Sequence, residues 1–183
     1  MTKISIITVT YNAAPVLQRT LDSVSRQTHP DIEHLIIDGA SKDETLAITE
    51  AYRDKSTYDV IVQSEPDKGL YDAMNKGLHK ATGDYLVFLN AGDTLYADDT
   101  LSLVAEKATD SPAVIYGDTA IVDNEGNFLH LRGCAHLNNF LGNLSVWACW
   151  YVIRHSMSAQ TLPNKRNTTY NIATLPMLTG ASE

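Results

Sequence analysis

The sequence predicts an α/β protein built on an open, mostly parallel sheet with helices on both faces. Two observations carry this. Apolar, β-branched runs alternate with stretches of helical period over the first 110 residues, as strands joined by right-handed crossovers do. The chain has 183 residues, 44% apolar and 20% charged, enough to bury about 70% of its unfolded surface as one domain. Disordered, collagen-like and small disulfide-stapled classes are thereby excluded.

Lys3 to Thr10 (KISIITVT) is a continuous β-branched run suited to a strand buried on both faces, and Tyr11-Asn12 end it. From Pro15 the spacing becomes helical, with Val16, Leu17, Leu21 and Val24 on one face, until Gln27 and Pro30 stop it. His34 to Asp38 forms the next strand. Ser41 and Glu44 then stand as a capping box opening a helix that runs to about Arg53. Val60 to Gln63 is a short third strand, Tyr71 to Lys80 a third helix, and Tyr85 to Leu89 a fourth strand bounded by Gly83 and Gly92. Leu101 to Lys107 reads as a helix and Val114 to Tyr116 as a strand. Ala120 to Val122 and Phe128 to His130 form a hairpin turning at Asn124-Glu125-Gly126. Beyond it, residues 143–178 show no sustained period.

Charge divides the chain at the same place. Residues 1–130 hold 10 basic and 21 acidic side chains, whereas residues 131–183 hold four basic ones against Glu183 alone. The formal net charge of −8 opposes binding to a phosphate polymer, so no nucleic-acid partner is expected. No apolar stretch is long enough to span a membrane and no leader is readable, which predicts a cytoplasmic protein. Cys134 and Cys149 make no CxxC pair, and His130, Cys134 and His136 lack the usual zinc spacing.

In an open α/β sheet, ligands bind beyond the carboxyl ends of the strands. The residues there are Thr10-Tyr11-Asn12, Asp38-Gly39, Asp67-Lys68-Gly69 and Asn90-Ala91-Gly92-Asp93. A tyrosine can stack on a planar ring, Asp38 can accept from a base or ribose donor, and Asp93 can hold a divalent cation on a diphosphate. Taken singly, each is an ordinary turn residue. Four such groups at four strand ends outline a nucleoside-diphosphate site. Neither GxGxxG nor GxxxxGK[ST] is present, so the dinucleotide and Walker-type alternatives lack their fingerprints.

Three stretches carry a resemblance: ISIITVTYN (4–12), SVSRQTHPDIEHLIIDGASKDET (23–45) and SEPDKGLYDAMNKGLHKATGDYLVFLNAGD (64–93). Over about residues 3–130 the chain resembles the inverting family 2 glycosyltransferases with the Rossmann-like GT-A fold. GLYDAMNKG followed by ATGDYLVFLNAGD looks like the branch that builds exopolysaccharide, lipopolysaccharide or colanic-acid-like chains. The resemblance implies that Tyr11 lies against the nucleobase, with the backbone of Thr8, Val9, Thr10 and Asn12 around it. It implies that Asp38, beside Gly39, hydrogen-bonds the base and that Asp67, Lys68 and Asp72 approach the nucleotide sugar. Asn90-Ala91-Gly92-Asp93 stands where the family has Asp-x-Asp-Asp, which leaves Asp93, with Asn90 as a carbonyl ligand, to hold Mg²⁺ or Mn²⁺. The implied partners are a nucleoside-diphosphate sugar and a glycan or lipid-linked acceptor. A lipid-linked acceptor would bring the chain to the inner face of the membrane, although no basic amphipathic helix reports such contact.

The family's general base is an Asp or Glu on the acceptor side, and between Glu125 and Glu183 this chain has no carboxylate. Reading the codons permitted for Leu144 to His155 from each third base yields IRMGMLVCHP. The same offset over Asn171 to Thr179 yields YSDFADADW, and both resemble the family's missing segments. The tail 131–183 is accordingly expected to be a frameshift product, broken between Leu131 and Asn143, with nothing selected to pack on the nucleotide-binding half 1–130. Weak or absent transfer activity follows. A nucleotide-sugar-binding remnant and an interaction domain using an acidic sheet edge are the two other readings.

Overall fold

The computed structural model describes residues 1–112, 114–123, 126–132 and 150–154. Strands β1 (Ile4–Thr10), β2 (Ile32–Asp38), β3 (Asp59–Ser64) and β4 (Tyr85–Phe88) pair in parallel. They are joined through helices α1 (Ala14–Ser25), α2 (Thr45–Lys55) and α3 (Leu70–Lys80). Helix α4 (Thr100–Lys107) runs into a 3₁₀ turn, followed by β5 (Val114–Gly117) and the hairpin strands β6 (Thr119–Val122) and β7 (Phe128–Arg132). The main sheet has the order β3-β2-β1-β4-β8-β5, where β8 is Trp150–Arg154, and the hairpin forms a separate two-stranded sheet. Asn124 and Glu125 of the expected turn lie outside the described residues. Gly126 takes a left-handed φ of 88° and its N–H reaches the Asp123 carbonyl.

The two-sided burial expected of β1 is observed, and β2 shares it, since every residue of both strands is buried. Alternation divides them between two layers. Ile4 and Ile6 pack with Val24 of α1 and Leu101 and Val104 of α4, and Ile36 with Leu17, Leu21 and Tyr52 of α1 and α2. Ile7, Val9, Leu35 and Ile37 pack on the opposite face with Ala73 and Met74 of α3. Helices therefore cover both faces, and burying each large aliphatic side chain contributes about 1.5–3 kcal/mol.

Two sequence expectations are corrected. The first is the capping box. Helix α2 begins at Thr45, Glu44 caps nothing, and the Ser41 hydroxyl is turned onto Asp38 instead. Asp43 supplies the acceptor at the helix start, taking the N–H of Thr45 at 3.1 Å and of Ala14 at 3.1 Å. A Ser-x-x-Glu spacing loses that role when a buried carboxylate competes for the serine.

The second lies in residues 143–178, where no sustained period marks an element. Trp150–Arg154 enters the sheet antiparallel between β4 and β5, with Val87 opposite Val152 and Ile115 opposite Val152. Val152 is fully buried in the cluster around Ile4 and Leu101. Four of these five residues are β-branched or aromatic, which suits an open edge of β4. A five-residue run leaves too few periods to stand out in sequence. Cys134, His136, Cys149 and His155 lie outside the described residues.

Candidate functional site

The order β3-β2-β1-β4 places a topological switch between β1 and β4, since the chain runs outward from β1 in one direction and returns to its other side with β4. The loops after these strands carry the residues singled out in the sequence. Tyr11 follows β1 with 64% of its surface exposed. A Cβ built at Gly39 would lie 2.6 Å from Asp67 Oδ2 and 3.3 Å from Tyr11 Cδ2. A side chain at position 39 would displace the Asp67 carboxylate and press on Tyr11, so glycine lets the three converge. The Gly39 N–H is held by the Thr10 carbonyl at 2.9 Å.

Asp38 is fully buried at the end of β2. Its carboxylate accepts from Thr10 Oγ1 at 3.1 Å, Ser64 Oγ at 2.6 Å, the Ser41 N–H at 2.9 Å and the Ser41 hydroxyl. Burial alone would raise the Asp38 carboxyl, but the hydrogen bonds from Ser41, Ser64 and Thr10 outweigh it and hold the group below its ordinary value. The charge thus stays on Asp38 with no cation at ion-pair distance among the described residues. Sequence reasoning missed Ser41 and Ser64 as its partners. Ser64 could have been found as the last residue of its strand, the position that Thr10 and Asp38 also hold.

Asn12 organises the same corner. It takes a left-handed φ of 49°, its N–H is received by Ser41 Oγ at 2.8 Å, and its Oδ1 receives the Lys42 N–H at 2.9 Å. Thr8 and Val9 lie inside the sheet, and Thr8 Oγ1 faces His34 Nε2 at 2.8 Å, away from the open rim. Beyond β3, Asp67 Oδ1 receives the Gly69 N–H at 2.8 Å and Asp72 Oδ2 the Lys68 N–H at 3.1 Å. Both carboxylates fold the Asp67-Lys68-Gly69 turn onto the start of α3. The Lys68 side chain is exposed.

After β4, Asn90 and Asp93 are exposed and Ala91 half-buried. The loop docks on α1: the Gly92 N–H is received by Thr20 Oγ1 at 2.8 Å, and Gly92 adopts a φ of 99°. Although the residue is exposed, the surrounding protein partly desolvates the Asp93 carboxyl and raises it, opposed by a hydrogen bond from Asn90 and the positive charge of Arg19. A hard divalent cation takes six or more oxygens. Among the described residues no three His, Cys, Asp or Glu side chains converge, and Asp93 is the single carboxylate of this loop. Asp93 and Asn90 offer one carboxylate and one amide oxygen beside the Arg19 guanidinium, so a divalent ion here would take most of its oxygens from a bound diphosphate and water.

Similarity to known proteins converges on one family. The chain is 45% identical over 116 residues to the PGL/p-HBAD biosynthesis glycosyltransferase of Mycobacterium bovis, covering 62% of this chain and 45% of that one. It is 40% identical over 104 residues to a further glycosyltransferase of Mycobacterium tuberculosis, covering 56% and 38%. The chain therefore spans less than half the length of these curated relatives. Among solved structures, a mannosyltransferase of Pyrobaculum calidifontis in complex with GDP-mannose and Mn²⁺ superposes with a TM-score of 0.58 at 28% identity, over 63% of this chain and 34% of that one. The UDP complex of S. aureus TarS 1–349 superposes with a TM-score of 0.66 at 23% identity, over 84% and 47%, and shows the shared GT-A fold. Residues 5–172 match the model of glycosyl transferase family 2, across more than half of the sequence, and the chain belongs to that family.

Proposed function

We propose that this chain is the donor-binding part of a glycosyltransferase that moves a sugar from a nucleoside-diphosphate sugar to a glycan or lipid-linked acceptor in cell-surface polysaccharide synthesis. The convergence of Tyr11, Gly39 and Asp67 beside the switch point carries this reading. Tyr11 offers an exposed ring for the base, and Asp38 fixes the loop on which that base would rest. The relatives named above support it by their own descriptions, one in PGL/p-HBAD biosynthesis and one holding GDP-mannose. In such a transfer the acceptor oxygen attacks the anomeric carbon, the bond to the diphosphate oxygen breaks, and the acceptor proton passes to a base. No step here is routed through a metal ion.

A second reading is favoured by one observation, the absence of any Asp or Glu between Glu125 and Glu183. It makes the chain a nucleotide-sugar-binding remnant whose tail, from about residue 131, arose by frameshift. Equilibrium binding of UDP-N-acetylglucosamine and GDP-mannose, followed by a product assay with glycan and polyprenyl-phosphate acceptors, separates the two. Binding with product supports the transferase, binding without product supports the remnant, and no binding overturns both. Resequencing that finds an undisturbed reading frame shared by close relatives sinks the frameshift.

A further inference from the structure

The loop after β4 lies against a cation of helix α1, Arg19. A Cβ at Gly92 would lie 3.1 Å from Nη2 of Arg19, so the space a side chain at position 92 would enter is held by a guanidinium. The same hypothetical Cβ lies 3.5 Å from Val16, and the Gly92 N–H is anchored to Thr20. Residues 90–93 are thus seated along α1 with Arg19 at their rim. The Arg19 side chain is exposed and makes no close ion pair among the described residues, though its charge acts on Asp93. Lys76, by contrast, is engaged by Glu65 at 2.9 Å and by the Pro66 carbonyl.

Electrostatics make a local cation necessary. Residues 1–130 carry 21 acidic against 10 basic side chains, and the rim itself displays Asp67, Asp72 and Asp93. A diphosphate approaching this rim meets a negative field unless a positive group lies where its charge comes to rest. A guanidinium meets that need, because its planar fork of donors matches phosphate oxygens and stays charged at any physiological pH. Resting on the proposed nucleotide-sugar reading, we infer that Arg19 is the resident cation of this site and binds the diphosphate of a nucleoside diphosphate at the end of β4. Residues 90–93, with their single carboxylate, then need no divalent ion.

Titration calorimetry on the full chain with UDP, GDP, uridine and guanosine tests this, in EDTA and with Mn²⁺, for the wild type, Arg19→Gln and Arg19→Lys. Wild-type affinity for the preferred diphosphate is expected to agree within about twofold between EDTA and Mn²⁺. Arg19→Gln should lose about tenfold or more for the diphosphate, while affinity for the nucleoside is unchanged. Arg19→Lys should fall between them. An unchanged nucleoside affinity also shows that the variant is folded. Diphosphate binding that requires Mn²⁺, or that survives Arg19→Gln, overturns the role of Arg19 and leaves the nucleotide reading standing. Failure of all four ligands to bind the wild type overturns both.

Discussion

Strand β2 carries a buried carboxylate at each end, and the two are stabilised differently. Glu33, at the amino end, is 2% exposed, and Lys3 Nζ pairs with it at 2.9 Å. Ser5 Oγ, the Thr82 N–H and Thr82 Oγ1 complete its shell at 2.5, 2.6 and 2.7 Å. Asp38, at the carboxyl end, is enclosed by hydroxyls and one N–H with no cation. Glu33 therefore has charge compensation and ties β1, β2 and the entry to β4 together. Asp38 retains a net charge that only dipoles solvate, next to the open rim where Tyr11 is exposed. One end of the strand is committed to stability, and the other holds an uncompensated charge beside the exposed Tyr11.

Removing Glu33 should be the most damaging way to break this contrast. Glu33→Ala leaves Ser5, the Thr82 amide and Lys3 without their shared acceptor, and loss of one partner from a buried pair costs about 3–5 kcal/mol. Urea unfolding of this variant is expected to show a loss near the lower end, about 3 kcal/mol, because Lys3 is itself 30% exposed. Asp38→Asn, which keeps the shape and loses the charge, should cost about 1–2 kcal/mol. Equal losses at the two positions would erase the distinction drawn between them.

Much of this was legible in the sequence because it is local. The β-branched run 4–10 and the helical spacing from Pro15 each report their own burial. So do the turn residues at four strand ends, and those elements appear within a few residues of the expected bounds. What escaped is set by tertiary partners. The hydroxyls on Asp38 come from β1, from the loop after β2 and from β3, and no spacing rule links Thr10, Ser41 and Ser64. Arg19 reads as one more charged residue on the solvated face of a helix until Gly92 is brought beside it. Strand β8 owes its place to the open edge of β4, which a linear reading does not display.

Acid should weaken both ends, and the loss at Glu33 is the one whose range is defined. Burial would raise the Glu33 carboxyl, but the bonds from Lys3, Ser5 and Thr82 bring it down to about 2, from 4.5. A depressed carboxylate contributes stability that is complete above the unfolded value and lost as pH falls, so this share disappears between about pH 4.5 and 2. At 1.36 kcal/mol per pH unit it amounts to roughly 3 kcal/mol. His34, in the middle of the same strand, accompanies it. Burial lowers His34 from 6.5 to about 3, so it stays neutral in the fold while the unfolded chain takes up a proton. Stability should start to decline near pH 6.5 and fall more steeply below 4.5. Unfolding midpoints measured from pH 7 to 3 check this, and Glu33→Gln should flatten the lower limb, leaving the share of Asp38.

The smallest effect on the fold is expected where the effect on ligand is clear. Tyr11 is 64% exposed and extends from the end of β1 over Gly39, with Cδ2 3.3 Å from where a Gly39 Cβ would stand. Truncating a side chain so exposed should change stability by less than about 0.5 kcal/mol. Stacking a base on an aromatic ring is worth about 1–3 kcal/mol, so Tyr11→Ala should weaken uridine or guanosine binding by about fivefold or more. Because the base rather than the phosphate is lost, the deficit should be the same for nucleoside and diphosphate, opposite to the pattern expected of Arg19→Gln. A Tyr11→Ala chain that unfolds more easily but binds as before would make Tyr11 a packing residue. The rim of β2 would then share the structural role of its buried amino end.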